Sequence, residues 1–222
     1  MTTIHRSSLS DTTADLQHYL RGARDAVIWK LENLDDCDLR RPLTRTGTNL
    51  LGLVQHLSRV EVLYFVAAFG RPATWSVPWF AAQIEPNSDM WATPEQPADH
   101  IVTTYRRAWA HADSTLDIVD LQTVGCMPWL SERHMSLRRA VVHVIAETER
   151  HAGHADITCE FIDGAAGRLP DDDRLNTHAA HGTHPRDPNR WDVYYDTVDN
   201  AARVAADADN VRVAGSHHDR RP

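Results

Sequence analysis

The sequence predicts an all-α protein, a four-helix bundle with long inter-helix loops and a C-terminal extension. Three observations carry that expectation. Apolar residues recur at three- and four-residue steps in four separate stretches, no stretch alternates convincingly as a strand would, and glycine- or proline-marked breaks lie between them. At 222 residues the chain can bury one sizeable core, so a single domain over residues 1–167 and a polar arm over residues 168–222 are expected.

The first helix is expected over residues 11–34, with Ser10 or Asp11 as its cap and Leu16, Tyr19, Leu20, Ala23, Val27, Ile28 and Leu31 facing inward. Residues 35–48 are rich in charge, carry Pro42 and Gly47 as breakers, and read as a connecting loop. Thr48 then caps a second helix that closes at Gly70, with Pro72 just beyond. Its inward arc contains Leu50, Leu53, Leu57, Val60, Leu63, Tyr64 and Ala67, and His56 falls inside that arc.

Residues 71–92 mix Trp75, Trp79, Phe80 and Trp91 with Pro72, Pro78 and Pro86 and show no clean period. Such a stretch is expected to pack as a lid over a site or over the core. Thr93-Pro94-Glu95-Gln96 has the pattern of a helix start. The third helix would run to Asp117 and bury Ile101, Tyr105, Ala108, Trp109, Ala112 and Leu116, leaving His100 and His111 to solvent. A second loop, residues 118–135, contains Gly125, Pro128 and Trp129 and leads to Ser136, the cap of the fourth helix.

Beyond Gly164 the composition shifts. Residues 168–188 are polar, broken by prolines, and read as an extended arm. Trp191, Val193, Tyr194, Tyr195, Val198, Ala201, Ala202 and Val204 would form one short helix that packs on the body or on a neighbouring subunit. The last eight residues are expected to be mobile, and His178, His181, His184, His217 and His218 to be surface histidines.

Composition narrows the function classes. A formal charge of -8 argues against nucleic acid or an anionic membrane as the main partner. With 42% apolar residues, a mean hydropathy of -0.46, no run approaching the roughly 20 apolar residues of a membrane helix and no basic-then-apolar leader, a cytoplasmic protein is expected. Cys37, Cys126 and Cys159 are widely spaced and fit a reducing compartment. No C-x-x-C occurs, which disfavours a thiolate zinc site.

The chemistry is concentrated on the fourth helix, residues 136–164. At about 100° per residue, His143, Glu147, His151 and His154 fall within an arc of roughly 80°, beside an apolar arc of Leu137, Val141, Val144, Ile145, Thr148, Ala152 and Ala155. A carboxylate and an imidazole one turn apart can grip a single ion. E-x-x-x-H pairs are also common on helices that bind nothing, so a third ligand is required. If the second and fourth helices face each other, His56 supplies it, with His143 as the competing ligand should the fourth helix be rotated.

Two motifs carry a resemblance. G-L-V-Q-H-L-S-R-V-E on the second helix, followed far downstream by H-V-I-A-E-T-E-R-H-A-G-H-A-D-I and I-D-G, resembles the DinB-like metalloprotein superfamily, in particular its mini-circle-protein branch. The resemblance covers residues 12 to 165 and implies a four-helix bundle whose metal ligands, carried over by position, are His56, Glu147 and His151. Many superfamily members have histidine at the position of Glu147, whereas relatives of the mycothiol-dependent maleylpyruvate isomerase type have glutamate. An N/N/O donor set of this kind suits zinc, with nickel, iron or manganese as alternatives, and the resemblance implies a low-molecular-weight thiol such as mycothiol or bacillithiol as cosubstrate.

The reaction then expected is thiol S-transfer or isomerisation of a small-molecule substrate. His154 would orient a ligand or relay a proton, and Arg150 would lie near an anionic substrate at the border with solvent. A metal-dependent hydrolase and a non-catalytic metal-binding or interaction protein are the alternatives, and a homodimer fits any of them.

Overall fold

A computed structural model of the chain describes residues 4–73, 75, 86–127, 133–164, 167 and 192–218, with side chains described from Thr12 to Ala206 within those spans. The protein is all-α, as expected. Six helices follow in order: α1 (Ile4–Trp29), α2 (Asp36–Arg40), α3 (Leu50–Glu61), α4 (Ala98–Ile118), α5 (Leu137–Asp163) and α6 (Asp192–His218). The helix α3 continues directly into a π-helical segment, Val62–Ala67. Helix α1 packs against α4 and α5, and α3 packs against the same two, so these four share one interior.

Several ends differ from expectation. Helix α1 begins at Ile4, which puts Ser10 and Asp11 inside it: no Gly or Pro interrupts residues 4–21, and a helix once formed propagates until something stops it. It stops at Trp29, and Asn33 takes a left-handed φ of 62° in the turn that follows. Tyr19, expected inside, is 59% exposed. The charged loop after it holds α2, because the Asp35 side chain accepts a hydrogen bond from the Asp38 N–H at 2.8 Å and caps that turn. Arg40 then donates to the carbonyls of Thr93 and Gln96 at 2.8 and 2.7 Å.

The cap of α3 is Asn49, not Thr48. Its Oδ1 accepts from the Gly52 N–H at 2.8 Å while its Nδ2 donates to the carbonyls of Gly47 and Met90. The π segment changes which face is buried: its wider turn rotates the residues after Glu61 away from α-helical register, so Val62, Phe65 and Val66 are buried and Ala67 is exposed. Gly70 does reverse the chain, at φ 63°. Near α4, Gln96 Oε1 accepts from the Thr93 N–H at 2.7 Å as in a capping box, yet the helix starts only at Ala98, after Pro97.

The stretch expected to be a loop before the fourth helix contains a two-stranded antiparallel ribbon, β1 (Val124–Cys126) and β2 (His134–Ser136), with Gly125 opposite Met135. Three-residue strands are too short to show alternation, which is why the pattern is invisible in the sequence. The ribbon is tied to its surroundings by backbone bonds from Cys126 to Ala68 and from Leu137 to Thr123. Ser136 caps α5 by accepting from the Arg139 N–H at 3.3 Å, and Gly164 closes it at φ 77°.

Most of the apolar interior falls into two clusters, with a smaller third of Val62, Val66 and Ala108. One gathers Val27, Leu53, Leu57, Ile101, Tyr105 and Ala155; the other gathers Leu20, Phe65, Leu116, Leu137, Val141 and Val144. Buried polar residues lie near their junction. Arg24, 1% exposed, donates from Nε and Nη2 to both carboxylate oxygens of Glu61 at 2.7 and 2.8 Å, and from Nη1 to Asp113 at 2.7 Å. Burial works against the Arg24 charge, but the two carboxylates outweigh it and raise its pKa further. Lys30 is also buried, paired with Asp156 on α5, with its ammonium 4.0 Å from the centre of the Trp29 ring.

The stretch Leu50–Ala67 has the length and apolarity of a membrane span, and 78% of it is buried inside the fold, as expected of a core helix. Helix α6 is longer than the short helix foreseen and runs through Gly215 to His218. Its Val193, Tyr194, Tyr195, Val198 and Val204 are exposed. The lid residues Pro78, Trp79 and Phe80, the loop residues Pro128 and Trp129, the arm with His178, His181 and His184, and Trp191 lie outside the described residues.

Removing Arg24 alone would strand the Glu61 carboxylate in the interior. Arg24→Ala is therefore expected to cost about 3–5 kcal/mol in urea unfolding, whereas replacing Arg24 and Glu61 together by Met and Leu should recover most of that loss. Equal stability of Arg24→Ala and the parent would show that the pair carries no such weight.

Candidate metal centre

The side chains of His56, Glu147 and His151 converge between α3 and α5, with one potential ligand atom from each lying within 4.8 Å of the others. Each is delivered by a regular element. His56 follows from the cap at Asn49 and the α-helical register of α3, while Glu147 and His151 are one turn apart on α5. His56 Nε2 lies 3.5 Å from Glu147 Oε1, and His151 Nε2 lies 3.2 Å from the same oxygen. Donors on a tetrahedral ion with bonds of about 2.0–2.1 Å stand about 3.3 Å apart, which the two distances to Glu147 already match, and all three atoms lie within 4.8 Å of one another.

The outer nitrogens are also engaged. His56 Nδ1 is 2.9 Å from Asp89 Oδ2, which also accepts from Arg59 Nη1 at 3.2 Å. A carboxylate can only accept, so Nδ1 carries the proton and the Nε2 lone pair is left for the cluster in the neutral ring. His151 Nδ1 is 3.2 Å from His154 Nδ1, one of the pair donating to the other. With His151 as donor, its Nε2 also presents a lone pair toward Glu147.

Electrostatics favour the unprotonated donor set. Burial first, then the neighbouring His56, lowers the His151 pKa to about 4 against the attraction of Glu147. Burial would raise the Glu147 pKa, but the adjacent imidazoles of His151 and His56 prevail and lower it. The same competition, resolved by His56 and Arg59, holds Asp89 below its ordinary value. A neutral imidazole beside a carboxylate is the state in which both can bind a cation.

The other candidates separate. His143, the competing ligand, is exposed and lies outside this cluster, its ring 4.7 Å from that of Tyr64. Tyr64 itself is buried, which with the negative charge of Glu147 raises its pKa. His154 is exposed at the edge, and Arg150 points outward. His111, expected in solvent, is half-buried: its ring meets Trp75 edge-on at 5.5 Å, and burial together with the charge of Arg71 lowers its pKa.

Asp89 was not singled out by any sequence pattern. It sits in a stretch without period, and the only local signal is the turn chemistry of Pro86-Asn87-Ser88-Asp89, where Asn87 adopts φ 62°. That marks a turn but says nothing of what the turn touches.

In chelator-treated protein, the His151 ring signal in a proton NMR titration is expected to have its midpoint near 4, against 6.5 for an ordinary histidine. The folded-state pKa lies below the unfolded one, so the stability associated with neutral His151 is complete above 6.5 and is lost progressively as pH falls from 6.5 toward 4. A midpoint at or above 6.5 would contradict the burial described here.

A search of curated proteins finds no match to the chain. The mycothiol-S-transferase family model matches residues 15–164, more than half of the chain, from the body of α1 to the glycine that closes α5. The matched span contains His56, Asp89, Glu147, His151 and His154, and it is consistent with the DinB-like resemblance of the two motifs. By that match, the chain belongs to the mycothiol-S-transferase family.

Proposed function

We propose that the protein is a metal-dependent S-transferase that uses a low-molecular-weight thiol of the mycothiol type, with His56, Glu147 and His151 as ligands of one divalent ion. The observation that carries this reading is the convergence of two imidazole nitrogens and one carboxylate oxygen within 4.8 Å, in a chain of this family. Two nitrogens and one oxygen suit zinc, and they also accept nickel, iron or manganese. When bound, a divalent ion with three protein ligands retains an open position and favours ionisation of a thiol placed there.

The protein's own groups prepare that position. Burial keeps His151 neutral and restricts water on its side of the cluster, while Glu147, with 28% of its side chain exposed, leaves a way in from solvent. Glu147 contributes the one negative charge among the three ligands. His154 accepts from the His151 Nδ1–H through the Nδ1 pair and so holds the His151 ring with its Nε2 lone pair toward the cluster. Asp89 remains a carboxylate at neutral pH and hydrogen-bonds the ring of His56.

Protein dialysed without chelator is expected to carry about one divalent ion per chain by elemental mass spectrometry, and His56→Ala and His151→Ala to lose it while remaining folded. Electrophile consumption should require added thiol and fall by at least about tenfold in both variants. Metal retained by both variants would refute the ligand assignment. Turnover without thiol would point to a hydrolase, and metal binding without any turnover to a binding protein.

A further inference from the structure

Residues 86–92 are attached to α3 by a set of contacts with a single outcome. Asn49 Nδ2 donates to the Met90 carbonyl at 3.0 Å, about two turns before His56. Gln55 Nε2, buried, donates to the carbonyls of Ser88 and Trp91, each at 3.1 Å. Gly52 lets the Met90 carbonyl approach so closely that a Cβ there would collide with it. Asn87 turns the chain in a left-handed conformation, and the Met90 N–H bonds back to the Asn87 carbonyl at 2.9 Å. Between these anchors Asp89, 6% exposed, meets His56 and Arg59.

From this geometry we propose that residues 86–92 are a strap whose function is to present Asp89 as the positioning residue of His56. The inference rests on the metal site proposed above and extends it beyond its ligands. The imidazole of His56 has two nitrogens on opposite sides; with Asp89 holding the Nδ1 proton, Nε2 is fixed as the donor and the ring is fixed in rotation. Arg59 prevents the carboxylate from swinging away, because the same Oδ2 accepts from both side chains. The bonds to the carbonyls of Ser88, Met90 and Trp91, which flank Asp89, come from Asn49, the cap of α3, and from Gln55 on it, so ligand and positioning residue move as one body.

The test uses zinc alone, titrated against a chromophoric chelator into metal-free parent, Asp89→Ala, Asp89→Asn and Gly52→Ala proteins, with helix content followed by circular dichroism. Asp89→Ala is expected to bind zinc about 10–100-fold more weakly. Asp89→Asn, which keeps an acceptor oxygen, should fall between it and the parent, and remains informative if the alanine variant does not fold. In the zinc-loaded parent, nitrogen NMR should show His56 protonated at Nδ1. Gly52→Ala, which changes no charged group but drives a methyl into the strap, should weaken binding in the same direction. Parent-like affinity in both Asp89 variants, or a His56 ring protonated at Nε2, would overturn the positioning role; parent-like affinity in Gly52→Ala would overturn the strap's part in it. If the parent itself takes up no zinc, the metal-site reading falls and this inference with it, an outcome distinct from loss of the Asp89 effect alone.

Discussion

The architecture depends on where α1 and the turn that follows it place two buried cations. Arg24 grips both oxygens of Glu61 on α3 and reaches Asp113 on α4, and Lys30, less than two turns later, pairs with Asp156 on α5. A guanidinium with 1% exposure has no water to fall back on, so its carboxylates must stand at one height along the helix axes. Apolar contacts alone would tolerate sliding of one helix past another more readily than a bidentate ion pair does. The same constraint sets the level of α3 against α5. His56 therefore meets Glu147 and His151 and not residues a turn away.

A second feature follows from burial at that level. Thr148, adjacent to Glu147, is buried against the core, whereas Glu147 and His154 reach outward. The helix α5 thus keeps its apolar face complete and gives only one edge to the cluster. Local chemistry is economical: Glu147 supplies charge, the low pKa of His151 keeps a lone pair available, and Asp89 and His154 each attend to one outer nitrogen. The π segment after Glu61 contributes from the other side. By rotating the chain it buries Phe65 and Val66 while leaving Tyr64 beside His143, near the charge of Glu147.

Much of this was legible in residue spacing. The inner faces of α3, α4 and α5 follow helical period, so Leu53, Leu57, Ile101, Tyr105, Val141 and Val144 are buried where periodicity places them. Ser136 and Gly164 mark the ends of α5 because cap geometry is local and demands particular residue types. The arc shared by His143, Glu147, His151 and His154 is likewise a property of one helix. Local rules misjudged α1, where Ser10 and Asp11 could cap a helix but nothing forces one to begin there, and α3, where Thr48 and Asn49 are both competent caps and only Asn49 also reaches the Met90 carbonyl.

By itself, then, the sequence determined the all-α class, the inner faces of the helices, the set of histidines and glutamate on α5, and His56 as an inward-facing candidate. Each of these is decided within one helix, over a few turns. Tertiary structure decided the selection: His56 with Glu147 and His151, but His143 with Tyr64. It also brought in Asp89, 33 residues from His56 along the chain, and buried Arg24 and Lys30, whose charge favours water until a carboxylate partner is in place. The physical reason is that periodicity specifies a direction around a helix axis and not a partner. Partners are set by the relative height and rotation of packed helices, and those depend on buried ion pairs and backbone contacts between residues far apart in sequence.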